Sequence, residues 1–353
     1  MIELVRLLLL LFGGAAAVLV LVLTYTRVHL ELRERRLGRR QDALRRLILT
    51  ALLGEPGEAA AARSDLRGRR GRAWDQVEEQ AFAMLPKIRG DAREVLVTVL
   101  LSRGALSRAH ERTRSWSLVR RARGAYQLGA LGQREAVPAL LGLLGDRHFL
   151  VRRTAVRALG QVGEPQNVAP LFATVAADPS LARDVLAAIT RIGPYAADPL
   201  RRELARALES GAHDRRGALS ATGLGLLGDI GSGSLLVRAL EHPEVPGLPT
   251  AAAEAIGLIG LPAAVPSLLR LLEAEDAGDV ETRVAAAAAL GRIADPVAVP
   301  GLSVALDGVS RESDRAVAGA LLRLGPEGRE ALAGHSSPYA AEALAVHAVR
   351  AVV

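Results

Sequence analysis

The chain has no cysteine, and only 10 of its 353 residues are aromatic. The first absence excludes a disulfide scaffold, a cysteine-ligated zinc or iron–sulfur site and a thiol nucleophile. The second argues against a β-sandwich or barrel, which are built on β-branched and aromatic residues. Lysine is also nearly missing: Lys87 is the one lysine among 45 basic residues. Together with the abundance of Ala and Gly, this suggests a GC-rich genome that writes Arg wherever Lys would serve. The basic balance is therefore weak evidence for nucleic-acid binding. What the chain does have is a hydrophobic half made of Ala, Leu and Val, the composition of closely approaching helices.

Charge is unevenly placed. Residues 1–124 carry a net +11 and residues 125–353 a net −4. The first of these regions opens with a run of 20 uncharged residues, Leu7 to Thr26. At about 1.5 Å per residue such a helix spans roughly 30 Å, the hydrocarbon thickness of a bilayer. No small-x-small cleavage site follows, so residues 1–26 are expected to be an uncleaved transmembrane anchor and not a signal peptide. Residues 27–53 read as a basic juxtamembrane helix. Its Arg33, Arg35, Arg36, Arg39, Arg40, Arg45 and Arg46 are candidate membrane-surface residues. They place the N-terminus outside and the remainder on the cytoplasmic side. Residues 54–72, with five arginines among Gly54, Pro56, Gly57, Gly68 and Gly71, are expected to be a flexible loop with at most a short helix over residues 58–66. Residues 73–117 read as a helical N-terminal cap or degenerate repeats. Trp74 and Trp116 lie near its two ends, where core packing is the default.

The rest of the chain repeats itself. LGALGQREAVPALLGLLGD, LGQVGEPQNVAPLFATVAAD, IGLIGLPAAVPSLLRLLE and LGRIADPVAVPGLSVALD are four of seven related segments. Their turn residues, Gly132, Gly163, Gly193, Gly228, Gly260, Ala294 and Gly325, recur every 30–35 residues. Each unit reads as two helices, the first ending at the glycine and the second opening with Pro138, Pro170, Pro199, Pro266 or Pro300 in its first turn. Neither helix can bury its apolar face alone, so neighbouring units must share a core. Acid-then-basic pairs (Asp146 and Arg152, Asp178 and Arg183, Asp279 and Arg283, Asp314 and Arg315) are expected to cap helices and join units.

At these residues the chain resembles HEAT repeats of the short, PBS-lyase type, over residues 118–334. The resemblance implies an all-α fold: a right-handed α-solenoid of about seven helical hairpins behind the single transmembrane helix, closed by a capping helix at 335–353. It also implies that the second helices line a protein-binding face. The layout is similar to that of bacterial membrane-anchored HEAT proteins, which suggests an integral membrane enzyme as partner, such as a glycosyltransferase of cell-envelope synthesis.

Chemistry is hard to find in the sequence. Gly223-Leu-Gly225-Leu-Leu-Gly228 fits the dinucleotide pattern but sits in repeat register with no preceding strand. Histidines 29, 110, 148, 213, 242, 335 and 347 show no i, i+4 pair. No catalytic, cofactor-binding or metal-binding residue is assigned, and no small-molecule substrate. The expected function is a non-enzymatic, membrane-tethered cytoplasmic scaffold or adaptor. A bilin-lyase-like enzyme is one alternative. A nucleic-acid-binding protein is the other, opposed by the acidic repeats.

Overall fold

A computed structural model of the chain describes residues 24, 25, 27, 42–210, 215–273, 280–307 and 310–352. Every regular element among them is helical. The chain divides into two compact units, Met1–Ala105 and Leu106–Val353. The expected anchor at residues 7–26 and Arg33, Arg35, Arg36, Arg39 and Arg40 fall almost entirely outside the described residues. Among the described residues, no helix is long and apolar enough to cross a membrane.

The first unit contains α1 (residues 42–53), α2 (Pro56–Gly68), α3 (Arg72–Met84) and α4 (Asp91–Ser102). Helix α1 buries Leu44, Ile48 and Ala51 and leaves Arg45 and Arg46 exposed. Helix α2 corrects the expectation of a loop at 54–72. Pro56 occupies the first turn, where its missing N–H costs nothing, and Ala59, Ala62 and Leu66 form one buried stripe. Glycines 54 and 57 lie at or before the helix start and Gly68 at its end, so none of them interrupts it. Trp74 is buried, with the Arg103 guanidinium 4.2 Å above its ring.

The second unit is the repeat array, and it begins inside α5 (Ala105–Thr113). This shifts the start of the array upstream of residue 118. Helix α5 belongs to the array because Gly124 of the next helix lets the two backbones meet: a Cβ there would lie 2.8 Å from the Ala109 carbonyl oxygen. Seven helix pairs follow. Their first helices are α6 (Leu118–Leu131), α8 (Phe149–Val162), α10 (Ala182–Ile192), α12 (Arg216–Leu227), α14 (Leu248–Ile259), α16 (Val280–Ile293) and α18 (Arg311–Arg323). The second helices are α7 (Val137–Leu143), α9 (Val168–Ala177), α11 (Ala197–Ser210), α13 (Gly233–Ala239), α15 (Val265–Glu273), α17 (Val299–Val304) and α19 (Pro326–Ala333). Helix α20 (Pro338–Val352) closes the array, as expected for a cap, although Val346 and Val349 on it are exposed.

Successive first helices touch through one recurring device. Gly129, Gly160, Gly225, Gly257 and Gly291 each stand three residues before a turn residue. A Cβ on them would lie 2.6–2.8 Å from the Cα of Ala158, Ala188, Ala255, Ala289 and Ala320 respectively, on the next first helix. Glycine against alanine lets the two backbones approach closely, and Leu159, Ile256 and Leu290 beside these contacts are fully buried. The ladder is broken once. Helix α10 carries Thr190 at the glycine position, and it is exposed. Toward the preceding unit, helix α12 packs more on α11, the longest of the second helices, than on α10, with Gly217 set against Ala207.

The turns use two geometries. Gly132, Gly163, Gly228 and Gly260 are left-handed helix caps, and Ala294 adopts the same sign at φ 56° despite its Cβ. Gly193 and Gly325 precede prolines, which exclude the α region. Both therefore take φ near 74–80° with extended ψ, a conformation open to glycine alone.

Two stability outcomes follow. Gly160→Val should lower thermal stability by about 1–3 kcal/mol or more, because its side chain must displace Ala188. Gly142→Ala, with open space around the added carbon and an ordinary helical site, should be neutral or stabilising by about 0.5–1 kcal/mol. Asn167 is 1% exposed and both its amide atoms lack a protein partner. The matching residues Ala136, Ala196, Ala264 and Ala298 are fully buried alanines. Asn167→Ala should therefore raise the melting temperature by the equivalent of about 1 kcal/mol. A lower melting temperature would show that the amide is satisfied by an internal water.

Candidate functional site

The second helices lie side by side along much of the array. Helix α9 contacts α11, α11 contacts α13, and α15, α17 and α19 follow one another. Their exposed residues change character along the row. Pro138, Gly142, Ala169 and Ala173 lie on α7 and α9. Arg202 and Arg206 lie on α11, Arg238 on α13 and Arg270 on α15, with Pro300 and Val304 on α17. The surface is thus small and apolar at one end and Arg-rich in the middle. Acids temper the arginines: Arg206 pairs with Glu203, and Arg270 bonds Glu241 at 3.3 Å.

A cleft opens between α9 and α11, lined by Pro165, Ala169, Pro199, Arg202, Glu203 and Arg206, among others. Glu203 is its anchor, held by Arg206 on its own helix and by Arg216 at 3.6 Å. The cleft sits where the ladder of first helices is broken and the longest second helix begins. Of its residues only Pro199 was singled out from sequence, as a proline opening a second helix. The available signal was the exposed arginine that replaces small residues nine or ten positions after the turn.

The titratable groups are dispersed. His148 accepts a hydrogen bond from Arg147 Nε, and His242 Nδ1 lies 2.6 Å from Glu244. His213 is outside the described residues. Among the described residues no three His, Asp or Glu side chains could hold a metal ion. Gly223 and Gly225 of the dinucleotide-like pattern are buried helix contacts, against Leu200 and Ala255, and Gly228 is a helix cap. Trp116 is not in the core as expected: it is 96% exposed.

The acids named from sequence do join units, but with a shifted pairing. The partner of Asp146 is Arg121 of the preceding unit, which donates from Nε at 2.6 Å and Nη2 at 3.0 Å. The backbone N–H of His148 adds a third bond at 2.9 Å. Arg152 gives its side chain to the Asp146 carbonyl and to the carboxylate of Asp178, one unit further on. Each arginine thus reaches forward across an interface. The sequence-adjacent pairs Asp146–Arg152 and Asp178–Arg183 are not the carboxylate contacts. Asp279 is outside the described residues, and Arg315 turns instead to Glu342. The Arg121 bonds hold the Asp146 carboxyl below its ordinary range. Asp178 is lowered first by the Ser180 hydroxyl and then by Arg152.

Residues 111–191 match the family model HEAT repeats, and residues 249–274 and 282–308 match PBS lyase HEAT-like repeat. No curated protein matches the chain. Human deoxyhypusine hydroxylase in complex with glycerol is similar at 21% identity, with 72% of this chain and 99% of that one covered and a TM-score of 0.32. The complex of CpcE and CpcF of phycocyanin lyase from Nostoc sp. PCC7120 is similar at 23%, with 68% and 92% covered and a TM-score of 0.34. Kap95p in its complex with RanGDP is similar at 14%, with 85% of this chain and 45% of that one covered and a TM-score of 0.49. At these identities the likeness is one of fold alone.

Because the folded-state pKa of Asp146 is depressed, its contribution to stability is present at neutral pH. It is lost as pH falls from about 5 through the ordinary carboxylate range toward that depressed value. Asp146→Asn should lower the melting temperature at pH 7 and flatten its decline on acidification, as read by melting curves between pH 7 and 3. Equal slopes in the two proteins would remove Asp146 as a strap between units. HEAT and HEAT-like repeat models thus match three stretches of a helical array whose seven helix pairs run from Leu118 to Ala333.

Proposed function

We propose that the chain is a membrane-tethered scaffold that binds another protein along its row of second helices. The observation that carries this reading is the row itself. It is a long exposed surface, small and apolar on α7 and α9 and Arg-rich on α11, α13 and α15, on a stacked core, and its cleft between α9 and α11 holds an acid paired with arginines. Repetition of one helix pair extends area without concentrating reactive groups, which suits recognition and not bond-making. The scaffold role carries no enzymatic activity and needs no cofactor.

The tether in this proposal is the uncharged run of residues 7–26. The arginines that follow it, Arg33 to Arg46, keep the repeats cytoplasmic, because basic flanks resist translocation. A solenoid held at the cytoplasmic face meets integral membrane proteins most often, so the proposed partner is a membrane enzyme, with a glycosyltransferase of a bacterial cell envelope as the specific candidate.

Photocrosslinking in intact membranes tests both halves. A photoreactive residue at Ala169, Ala173 or Arg238 should capture one discrete partner. The same probe at Arg157 or Glu254, exposed on first helices, should not. Crosslinks independent of position would remove the second-helix row as the binding face. A reporter fused after Val353 should be cytoplasmic, and changing Arg33, Arg35, Arg36, Arg39 and Arg40 to Gln should invert a fraction of chains. Protease access to the repeats from outside wild-type cells would overturn the orientation.

A further inference from the structure

Two successive first helices open on exposed large apolar side chains. Trp116, 96% exposed, precedes α6, and Val119, 66% exposed, lies in its first turn. Phe149 and Leu150, 42% and 51% exposed, form the start of α8. Among the described residues of the later units, the exposed Tyr195, Ile230 and Val297 lie instead on the turns between first and second helices. Val119 and Leu150 occupy the same register, thirteen residues before their turn glycines. In the five later units that register holds Ser180, Arg215, Gly247, Glu281 and Glu312. The apolar tips are therefore confined to the first two units, on the edge from which first helices start.

Cations accompany the tips: Arg114, Arg120 and Arg147 are exposed around them. First-helix starts of later units also expose an arginine (Arg183, Arg215, Arg311) but without an apolar tip beside it. Of the nearby acids, Glu111 is exposed and Asp146 is neutralised by the two-pronged bond from Arg121. Arg121 also donates to the Ser115 and Trp116 carbonyls, at 3.1 and 2.9 Å, which fixes the loop that carries the tryptophan. The result is a rigid edge with an aromatic and an aliphatic tip at each of two helix starts, ringed by cations, on an otherwise acidic array.

We propose that this edge seats on an anionic bilayer surface, with Trp116, Val119, Phe149 and Leu150 entering the interfacial layer and Arg114, Arg120 and Arg147 at the headgroups. Indole and phenyl rings favour the boundary between headgroups and acyl chains. Projecting tips suit a fluid surface, which needs no shape-matched pocket. The cations beside the tips match an anionic headgroup layer, and the cleft between α9 and α11 lies apart from them on the second helices. Nucleic acid is disfavoured because Val119 and Leu150 offer no ring on which a base could stack. The inference does not rest on the N-terminal tether, since it concerns residues 114–150 alone.

The test uses the full chain, which has two tryptophans. Buried Trp74 is left untouched, and the difference in emission between wild type and Trp116→Phe isolates Trp116. Mixed with vesicles of phosphatidylcholine and phosphatidylglycerol, the Trp116 emission should shift to the blue and be quenched by brominated acyl chains. It should do neither in pure phosphatidylcholine. Each arginine near an anionic surface adds roughly fivefold to binding, so R114Q/R120Q/R147Q should weaken tip insertion by about a hundredfold. High salt should reverse insertion of the wild-type edge without any substitution. Attachment through residues 7–26 is read separately, by carbonate-resistant sedimentation, so a failed anchor and a failed edge give different results. A solvent-like Trp116 in both vesicle types would overturn the proposal. So would quenching indifferent to anionic lipid, or an equal blue shift produced by polyglutamate or duplex DNA.

Discussion

The close approach of neighbouring first helices is the constraint on which the array depends. Two helices can bring their backbones together only where side chains vanish, and here glycine on one helix meets alanine on the next in five interfaces. This contact sets both the distance and the register of the stack. Leucines and isoleucines beside it then fill a continuous core. It also explains the scarcity of aromatic residues, since rings would hold the helices apart. The forward-reaching arginines Arg121 and Arg152 work on the same interfaces from the outside, as straps near the surface rather than as the main source of cohesion.

The one place where the glycine is replaced shows what the device does. Thr190 cannot admit a neighbouring backbone, and the next first helix moves its contact with the preceding unit from α10 to α11. Helix α11 is accordingly long, the repeat spacing there stretches to 35 residues, and the cleft with Glu203 opens beside it. An irregularity in packing thus coincides with a cleft in the second-helix surface. That follows from geometry: a regular stack makes a regular surface, and a recess needs a break in the stack.

A solenoid also separates its surfaces. Second helices, turns and the starts of first helices face different directions, so each can evolve a different chemistry without disturbing the shared core. In this chain the second-helix row is small and apolar on α7 and α9 and Arg-rich on α11, α13 and α15, while the N-terminal ends of α6 and α8 carry Trp116, Val119, Phe149 and Leu150. Neither surface is a pocket with convergent reactive groups. Binding over an extended area is what such surfaces can support.

The repeat period, the helix-turn-helix reading of each unit and the structural role of Gly223, Gly225 and Gly228 were legible in the sequence. Spacing of apolar residues and turn glycines is a local property, and local propensity and burial agree in every unit. Helix α2 was legible only as a short helix over residues 58–66 within a loop, because Gly54, Pro56, Gly57 and Gly68 look like breakers until their positions at the helix ends are known. The partners of Asp146 and Asp178 were not legible either, since sequence offers the neighbouring arginine whereas the stack brings in the one from the preceding unit. The same holds for Trp116, whose composition says core and whose loop position says solvent. Sequence determined which residues form helices and how often they recur. Only the tertiary structure decided which side chains meet across interfaces and which point outward, because those outcomes depend on the offset between neighbouring helices and not on the order of residues within one.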